Sequence, residues 1–96
     1  MPASYNEIAR TIGEQIKAKR AERGESQEDV SLRSGLHRTE ISQIERGLRV
    51  PRVDTLIKLA GSLEAPIGEL VGPLAWEPGT YLTGGFTVEP GVGEGQ

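Results

Sequence analysis

The chain has 96 residues, a formal net charge of −3 and no cysteine. This length predicts one small domain, and the lack of cysteine excludes a disulfide framework and a thiolate metal site. The sequence contains no run of about 18 apolar residues and no secretory signal core, so it predicts a cytoplasmic protein with no membrane association. Helix formers are plentiful and aromatic residues scarce, which predicts an all-α fold.

The basic residues are unevenly distributed. All eleven lysines and arginines lie between Arg10 and Lys58, whereas the chain after Gly72 contains three glutamates and no basic residue. Nucleic-acid-binding proteins usually have a basic surface, so the net charge argues mildly against that function. Because acidic and basic residues balance before Gly72, any positive surface must be local.

The first predicted helix, helix 1, covers about residues 5–23 and ends at Gly24. Ser4 and Glu7 have the spacing of a capping box, in which each side chain accepts a hydrogen bond from the backbone N–H of the other residue. Isoleucines at four-residue spacing predict the buried face of this helix. They are Ile8, Ile12 and Ile16.

Two shorter helical patterns follow, separated by a glycine. Helix 2 begins after the N-cap candidate Ser26, which has Asp29 three residues later, and it ends at Gly35. Helix 3 covers about residues 38–46 and stops at Gly47. Two helices of this length, joined by about four residues that include a glycine, are the helix-turn-helix pattern.

A resemblance to a known family extends over about residues 10–71. It rests on the run SQEDVSLRSGLHRTEISQIERGLRVPRVDTLIKLA, in which the SQ pair, two helix-ending glycines, ISQIERG and the later proline fall in register. This run is similar to the Xre/Cro family, the DNA-binding domains of phage lambda-type repressors. The resemblance implies a five-helix, lambda repressor-like domain that binds double-stranded DNA. His37 stands where the family commonly has Ser, so either the cap of helix 3 is weaker or the imidazole forms it.

Helix 3 has an apolar and a polar side. Ile41 and Ile44 are expected to face inward, and the polar side carries the residues that the resemblance implies read bases: His37, Arg38, Thr39, Ser42 and Gln43. In the major groove Arg pairs with guanine, Gln pairs with adenine, and Ser or Thr can donate or accept hydrogen bonds.

Other family positions imply contacts to the DNA backbone and one internal ion pair. Gln27 matches a glutamine that holds a phosphate, and four further candidates for phosphate contact are Lys19, Arg46, Arg49 and Arg52. The resemblance also implies a structural ion pair between Arg20 and Glu45, which would tie helix 1 to the end of helix 3.

Two more helices complete the predicted domain, which covers residues 1–72. Helix 4 covers about residues 53–63, and its predicted inward residues are Val53, Leu56, Ile57, Ala60 and Leu63. Helix 5 covers about residues 66–71, where Pro66 suits the first turn and Ile67 and Leu70 are expected to close the core.

Residues 73–96 are predicted to form a Gly/Pro-rich C-terminal extension. Strand-like residues 81–83 and 86–88 flank Gly84 and Gly85, which predicts a short β-hairpin with a two-residue turn. Its aromatic candidate anchors are Trp76, Tyr81 and Phe86. They pack on the helical domain, pair with a second subunit or are disordered, and residues 91–96 are expected to be disordered.

The sequence therefore predicts a transcriptional regulator, a repressor that binds a pseudo-palindromic operator as a homodimer. One histidine and no cysteine leave little for catalysis, so we expect no enzyme activity, no cofactor and no metal. One alternative is an antitoxin or other protein-binding module whose tail engages a partner protein, with DNA binding secondary. Another is a helix-turn-helix domain that has lost DNA binding.

Overall fold

The computed structural model describes residues 3–81 and 83–89 of the chain. These residues form five helices followed by a two-stranded antiparallel hairpin. The elements are α1 Tyr5–Glu22, α2 Gln27–Ser34, α3 Arg38–Glu45, α4 Val53–Leu63, α5 Ile67–Val71, β1 Leu74–Pro78 and β2 Gly84–Val88. The predicted five-helix fold with a β-hairpin extension is confirmed, and within this described part no helix has the length and hydropathy to cross a membrane.

Capping boxes begin α1 and α2, as the sequence predicts. The Ser4 hydroxyl accepts the Glu7 N–H at 3.1 Å while Glu7 Oε1 accepts the Ser4 N–H at 2.8 Å, and Ser26 and Asp29 repeat the arrangement. Each such cap stabilises a helix by about 1 kcal/mol. At the start of α3 the imidazole of His37 makes no capping hydrogen bond, so that alternative is wrong.

The core lies where all five helices meet. Its fully buried members come from α1, α2, α3, α4 and α5, and they are Ile16, Val30, Ile41, Ile44, Leu59 and Leu70. Burying each such side chain stabilises the fold by roughly 1.5–3 kcal/mol. This single core holds α3 against α1 and fixes which of its sides is exposed.

The predicted inner face of α4 is partly wrong. Val53 and Ile57 are 68% and 58% exposed, whereas Leu59 and Thr55 are buried. Because successive helical residues are about 100° apart, Ile57 lies roughly 160° around the axis from Leu59 and cannot share its side. Ile67 of α5 is also 39% exposed, so Leu70 alone of the predicted pair closes the core.

The hairpin forms and its second predicted strand, residues 86–88, lies within β2, but the predicted first strand and turn are wrong. β1 pairs with β2 so that Trp76 faces Phe86, and Gly84 and Gly85 lie inside β2 opposite Pro78 and Glu77. The two aromatic rings meet edge to face at 5.1 Å, and this contact favours the observed register. Gly84 has φ of 131°, and a Cβ there would lie 2.7 Å from the Trp76 ring, so a larger residue is excluded.

The hairpin packs on α1 beside an apolar groove of about 370 Å³. The backbone N–H of Ala3 donates to the Phe86 carbonyl at 2.8 Å and fastens β2 to the start of the chain. Phe86 remains 43% exposed and Trp76 55%, so these two aromatics cover the domain only in part, and Tyr81, 87% exposed, projects into solvent. The expectation of disorder at residues 91–96 concerns positions outside the described residues.

Candidate nucleic-acid interface

The turn between α2 and α3 is rigidly held. Gly35 ends α2 with φ of 78°, a left-handed conformation that glycine adopts without strain. Leu36 is buried in the core, its carbonyl accepts the Ser31 hydroxyl at 2.5 Å, and its N–H donates to the Ser34 hydroxyl at 3.1 Å. These contacts fix the direction in which α3 leaves the turn.

One side of α3 is buried and the other reaches solvent. Ile41 and Ile44 are fully buried, which turns the opposite side outward. On that side Arg38 and Thr39 are exposed, and Ser42 and Gln43 are half-buried, while His37 is exposed at the N-cap of the helix. All five predicted base-reading side chains therefore share one accessible surface, which we call the α3 polar face.

A buried carboxylate joins α1, α2 and α3. Glu45 accepts two hydrogen bonds from Arg20, from Nε at 2.8 Å and from Nη2 at 2.9 Å, and a third from Gln27 Nε2 at 3.0 Å. Its side chain is 3% exposed and that of Arg20 17%. The hydrogen bond to Glu45 raises the pKa of the Arg20 guanidinium, which therefore stays charged at every accessible pH.

The same carboxylate positions Gln27 at the start of α2. Since Gln27 Nε2 donates to Glu45, the orientation of the amide is fixed. The backbone N–H of Gln27 belongs to the first turn of α2, whose amides have no carbonyl partner within the helix. This end of α2 is suited to an anion such as phosphate.

Three interface arginines lie beside carboxylates of the same chain. The distances are 3.7 Å from Arg38 to Glu28, 2.6 Å from Arg49 to Glu40 and 3.4 Å from Arg52 to Asp54. Arg46, also exposed, donates from Nε to the Ser42 carbonyl at 3.3 Å. The surface around the α3 polar face therefore has only a small excess of positive charge.

Lys19 is engaged elsewhere. Its ammonium lies 2.5 Å from Glu69, which joins α1 to α5, and this hydrogen bond raises the pKa of Lys19. Four of the five predicted phosphate-contacting residues therefore lie beside α3 or in the loop that follows it: Gln27, Arg46, Arg49 and Arg52. The fifth, Lys19, extends toward α5.

Two glycines place α3 against α1. The sequence predicted one of them, Gly47, only as the end of helix 3, and gave Gly13 no role. A Cβ on Gly13 would overlap the Ile44 carbonyl oxygen and lie 2.9 Å from that of Glu45. Gly47 has φ of 73°, and its Cβ would lie 2.9 Å from Arg10 Cα. A glycine inside a strongly helical pattern was the available signal for Gly13, because such a residue lowers helix stability unless another backbone needs the space.

Within residues 3–81 and 83–89 no group of three or more His, Asp or Glu side chains is arranged to hold a metal ion. The chemistry of the α3 polar face is that of hydrogen-bond donors and acceptors on a rigid helix. Such groups can bind a surface that presents complementary donors and acceptors.

Comparison with known proteins supports this description. The helix-turn-helix family model HTH_3 matches residues 16–70. An uncharacterized HTH-type transcriptional regulator, y4dJ of Sinorhizobium fredii, is 39% identical over 67 residues, which are 70% of this chain and 87% of that protein.

Solved structures show the same fold. The restriction-modification controller protein C.AhdI from Aeromonas hydrophila is similar with a TM-score of 0.63 and 32% identity, over 65% of this chain and 94% of that one. An HTH_3 family transcriptional regulator from Vibrio cholerae is similar with a TM-score of 0.68 and 30% identity, over 72% of this chain and 39% of that one.

Proposed function

We propose that this chain, which belongs to the helix-turn-helix family HTH_3 of transcription regulators, represses transcription by binding a pseudo-palindromic operator as a homodimer. The single observation that carries the proposal is the α3 polar face, because four side chains able to read base edges project from one helix that the core holds rigidly, and His37 stands at its N-cap.

Base recognition is assigned to this face by its chemistry. An α-helix fits the major groove, where each base pair presents a different set of donors and acceptors. The Arg38 guanidinium can donate two hydrogen bonds to guanine, and the Gln43 amide can bond adenine in the same bidentate manner. Each such contact discriminates against a wrong base by roughly 1–3 kcal/mol.

Phosphate contacts set the register of the reading helix. Gln27 is assigned this role because Glu45 fixes its amide and because the free N–H groups of a helix N-terminus attract anions. Arg49 and Arg52 flank α3 from the following loop and are assigned to neighbouring phosphates, as is Arg46.

The proposal is tested by selecting bound sequences from a random double-stranded DNA pool at a stated salt concentration, since phosphate contacts make affinity salt-dependent. We expect an enriched motif with two related half-sites about 34 Å apart. A pool that stays random at low salt would contradict the proposal. A motif with one half-site would contradict only the dimeric part.

A second candidate function is protein binding through the tail, as in an antitoxin. The observation that favours it is the exposed aromatic surface of Trp76, Tyr81 and Phe86. A stoichiometric partner that co-purifies from the native host, and that is lost when residues 73–96 are deleted, would support this candidate.

A further inference from the structure

The outer edge of β1 carries unpaired backbone groups. In the hairpin register Glu89 N–H donates to Pro73 at 2.7 Å and Gly79 N–H to Thr83 at 3.4 Å. Because hydrogen-bonded pairs alternate along an antiparallel ladder, Ala75 and Glu77 direct their N–H and C=O groups toward β2. The intervening residues Leu74 and Trp76 direct theirs away from the hairpin.

The two outer edges of the hairpin differ. β2 is engaged by Ala3, whose N–H donates to the Phe86 carbonyl. In the described part of the chain, no backbone hydrogen bond from another element reaches Leu74 or Trp76. An open edge of this kind is a template for a further strand, and proteins usually protect it with charge, proline or a bulge.

We propose that β1 pairs antiparallel with β1 of a second copy of this chain, about a two-fold axis at Ala75, and that this pairing forms the homodimer. The inference rests on the proposed dimeric function, and it names the interface. In this register Leu74 exchanges both of its hydrogen bonds with Trp76 of the partner subunit. The hairpins then join into one four-stranded sheet, and every outward N–H and C=O of these two residues is paired.

Pro78 and Glu77 favour this register over its neighbours. A pairing centred on Trp76 would set Leu74 against Pro78, which has no N–H, and would leave the Leu74 carbonyl unpaired. In the Ala75-centred pairing, Glu77 faces Pro73 of the partner subunit, so the two glutamates are kept apart. Like charges directly opposite each other would destabilise the sheet.

The apolar area beside the edge of β1 is small and suits a weak dimer. Leu74, Trp76 and Phe86 lie on one face of the hairpin, where they line the apolar groove with Tyr5. Tyr5 is 70% exposed, Trp76 55% and Phe86 43%. For aromatic side chains this leaves about 250–400 Å² uncovered per copy around the groove, of which only the part on Trp76 lies on the pairing strand itself. Both copies together therefore offer less apolar area than a standard interface of about 1,200 Å² buries, so we expect a weak, concentration-dependent dimer.

A cysteine cross-link tests the axis. The chain has no cysteine, so Ala75→Cys introduces a single thiol. Opposed residues in a non-hydrogen-bonded antiparallel pair have Cα atoms about 4.5 Å apart, within disulfide range. We expect Ala75→Cys to form a covalent dimer on mild oxidation. Thr87→Cys, which lies one strand further from the axis, is the matched control and should remain uncross-linked.

Charged substitutions at position 75 test the contact between the two copies without a covalent bond. Ala75→Glu and Ala75→Lys each place like charges across the axis, so we expect loss of the dimer in sedimentation velocity at concentrations where the unaltered chain dimerises. An equimolar mixture of the two variants should recover it. Thr87→Glu adds the same charge to β2 and should remain dimeric.

Three results would overturn the inference: a monomeric unaltered chain, a dimer that resists Ala75→Glu, or cross-linking at position 87 in place of 75. Binding of Ala75→Glu to DNA with one half-site is measured in parallel. If that binding persists while the dimer prediction fails, the interface is wrong and the base-reading proposal stands. If half-site binding is absent in the unaltered chain, the proposed function itself fails.

Discussion

Gly13 of α1 crosses α3 so closely that a Cβ on it would overlap the carbonyl oxygen of Ile44. Alanine is a better helix former than glycine by about 1 kcal/mol, so propensity alone predicts that Gly13→Ala stabilises the chain. The steric contact is with backbone and cannot be relieved by a side-chain rotation. We expect Gly13→Ala to lower the free energy of unfolding by about 1–3 kcal/mol, measured by urea denaturation.

The matched control for that substitution is Gly61→Ala in α4, where a Cβ would meet no atom within 4 Å. At this position only the helix propensity changes, so we expect the free energy of unfolding to rise by up to about 1 kcal/mol. Equal effects at the two positions would contradict the close approach of α1 and α3.

The ion pair between Arg20 and Glu45 provides a second prediction. Removing one partner leaves a shielded charge without compensation, so Glu45→Ala and Arg20→Ala should each lower the free energy of unfolding by roughly 3 kcal/mol. The double variant should lose less than the sum, because the second substitution removes the charge that the first left unpaired. Strict additivity in a double-mutant cycle would show that the two side chains do not interact.

The proposed base reading and the proposed phosphate contacts can be tested separately by substitution. Arg38→Ala combined with Gln43→Ala should abolish the preference for the selected operator over random DNA. The melting temperature should stay nearly unchanged, because Arg38 is exposed and Gln43 is only half-buried, outside the core. A large fall in melting temperature would mean that the α3 polar face is structural. The measurement is competitive binding of operator and random duplexes, with thermal unfolding in parallel.

Arg52→Ala is the contrasting variant, because its 86% exposed side chain lies in the loop that follows α3. It should weaken binding to operator and random DNA alike and reduce the slope of log affinity against log salt by about 1. A change confined to the operator would assign Arg52 to base recognition.

Acid should weaken the contacts of Glu25. Hydrogen bonds from Arg23, and then from Arg33, hold the pKa of this carboxyl below its ordinary value. A carboxyl with a lowered folded pKa stabilises the fold above its unfolded pKa, about 4.3, and this contribution is lost as pH falls through the folded value. Below about pH 4.3 the melting temperature of the Glu25→Gln variant should therefore fall less steeply with decreasing pH than that of the unaltered chain.

The control for the pH experiment is Glu14→Gln, an exposed position of α1. It changes the net charge by the same amount without touching Arg23 or Arg33. If the two variants have the same melting profile in acid, the effect belongs to net charge and not to the Glu25 contacts.

The sequence predicted the helices because their local signals agree with the packed structure. The capping boxes at Ser4 and Ser26 and the isoleucine spacing of α1 are interactions within a few residues, which a sequence displays directly. The buried side of α4 was harder to predict from the sequence, because apolar residues occur on two sides of that helix. Its contacts with α2 and α5 bury Leu59 and leave Ile57 exposed, and those contacts depend on tertiary packing.

The hairpin shows the same limit. The Gly84-Gly85 pair has the composition of a tight turn, yet the ring of Trp76 covers Gly84 and Phe86 faces Trp76 across the strands. That register depends on residues about ten positions apart, and turn composition does not encode it. At the candidate site the sequence placed the polar side of α3 but gave no sign that Glu45 also holds Gln27, since that contact requires three helices to meet.

The carboxylates beside Arg38, Arg49 and Arg52 have a kinetic consequence. In the proposed complex each guanidinium exchanges its own acidic neighbour for a phosphate or a base, so we expect only weak attraction to DNA of arbitrary sequence. We expect the protein to have short residence times on unrelated DNA sequences. It would then dissociate often while it searches for its operator. Binding to an operator would then depend mainly on the contacts between the α3 polar face and the bases. It would depend little on the negative charge of the DNA backbone.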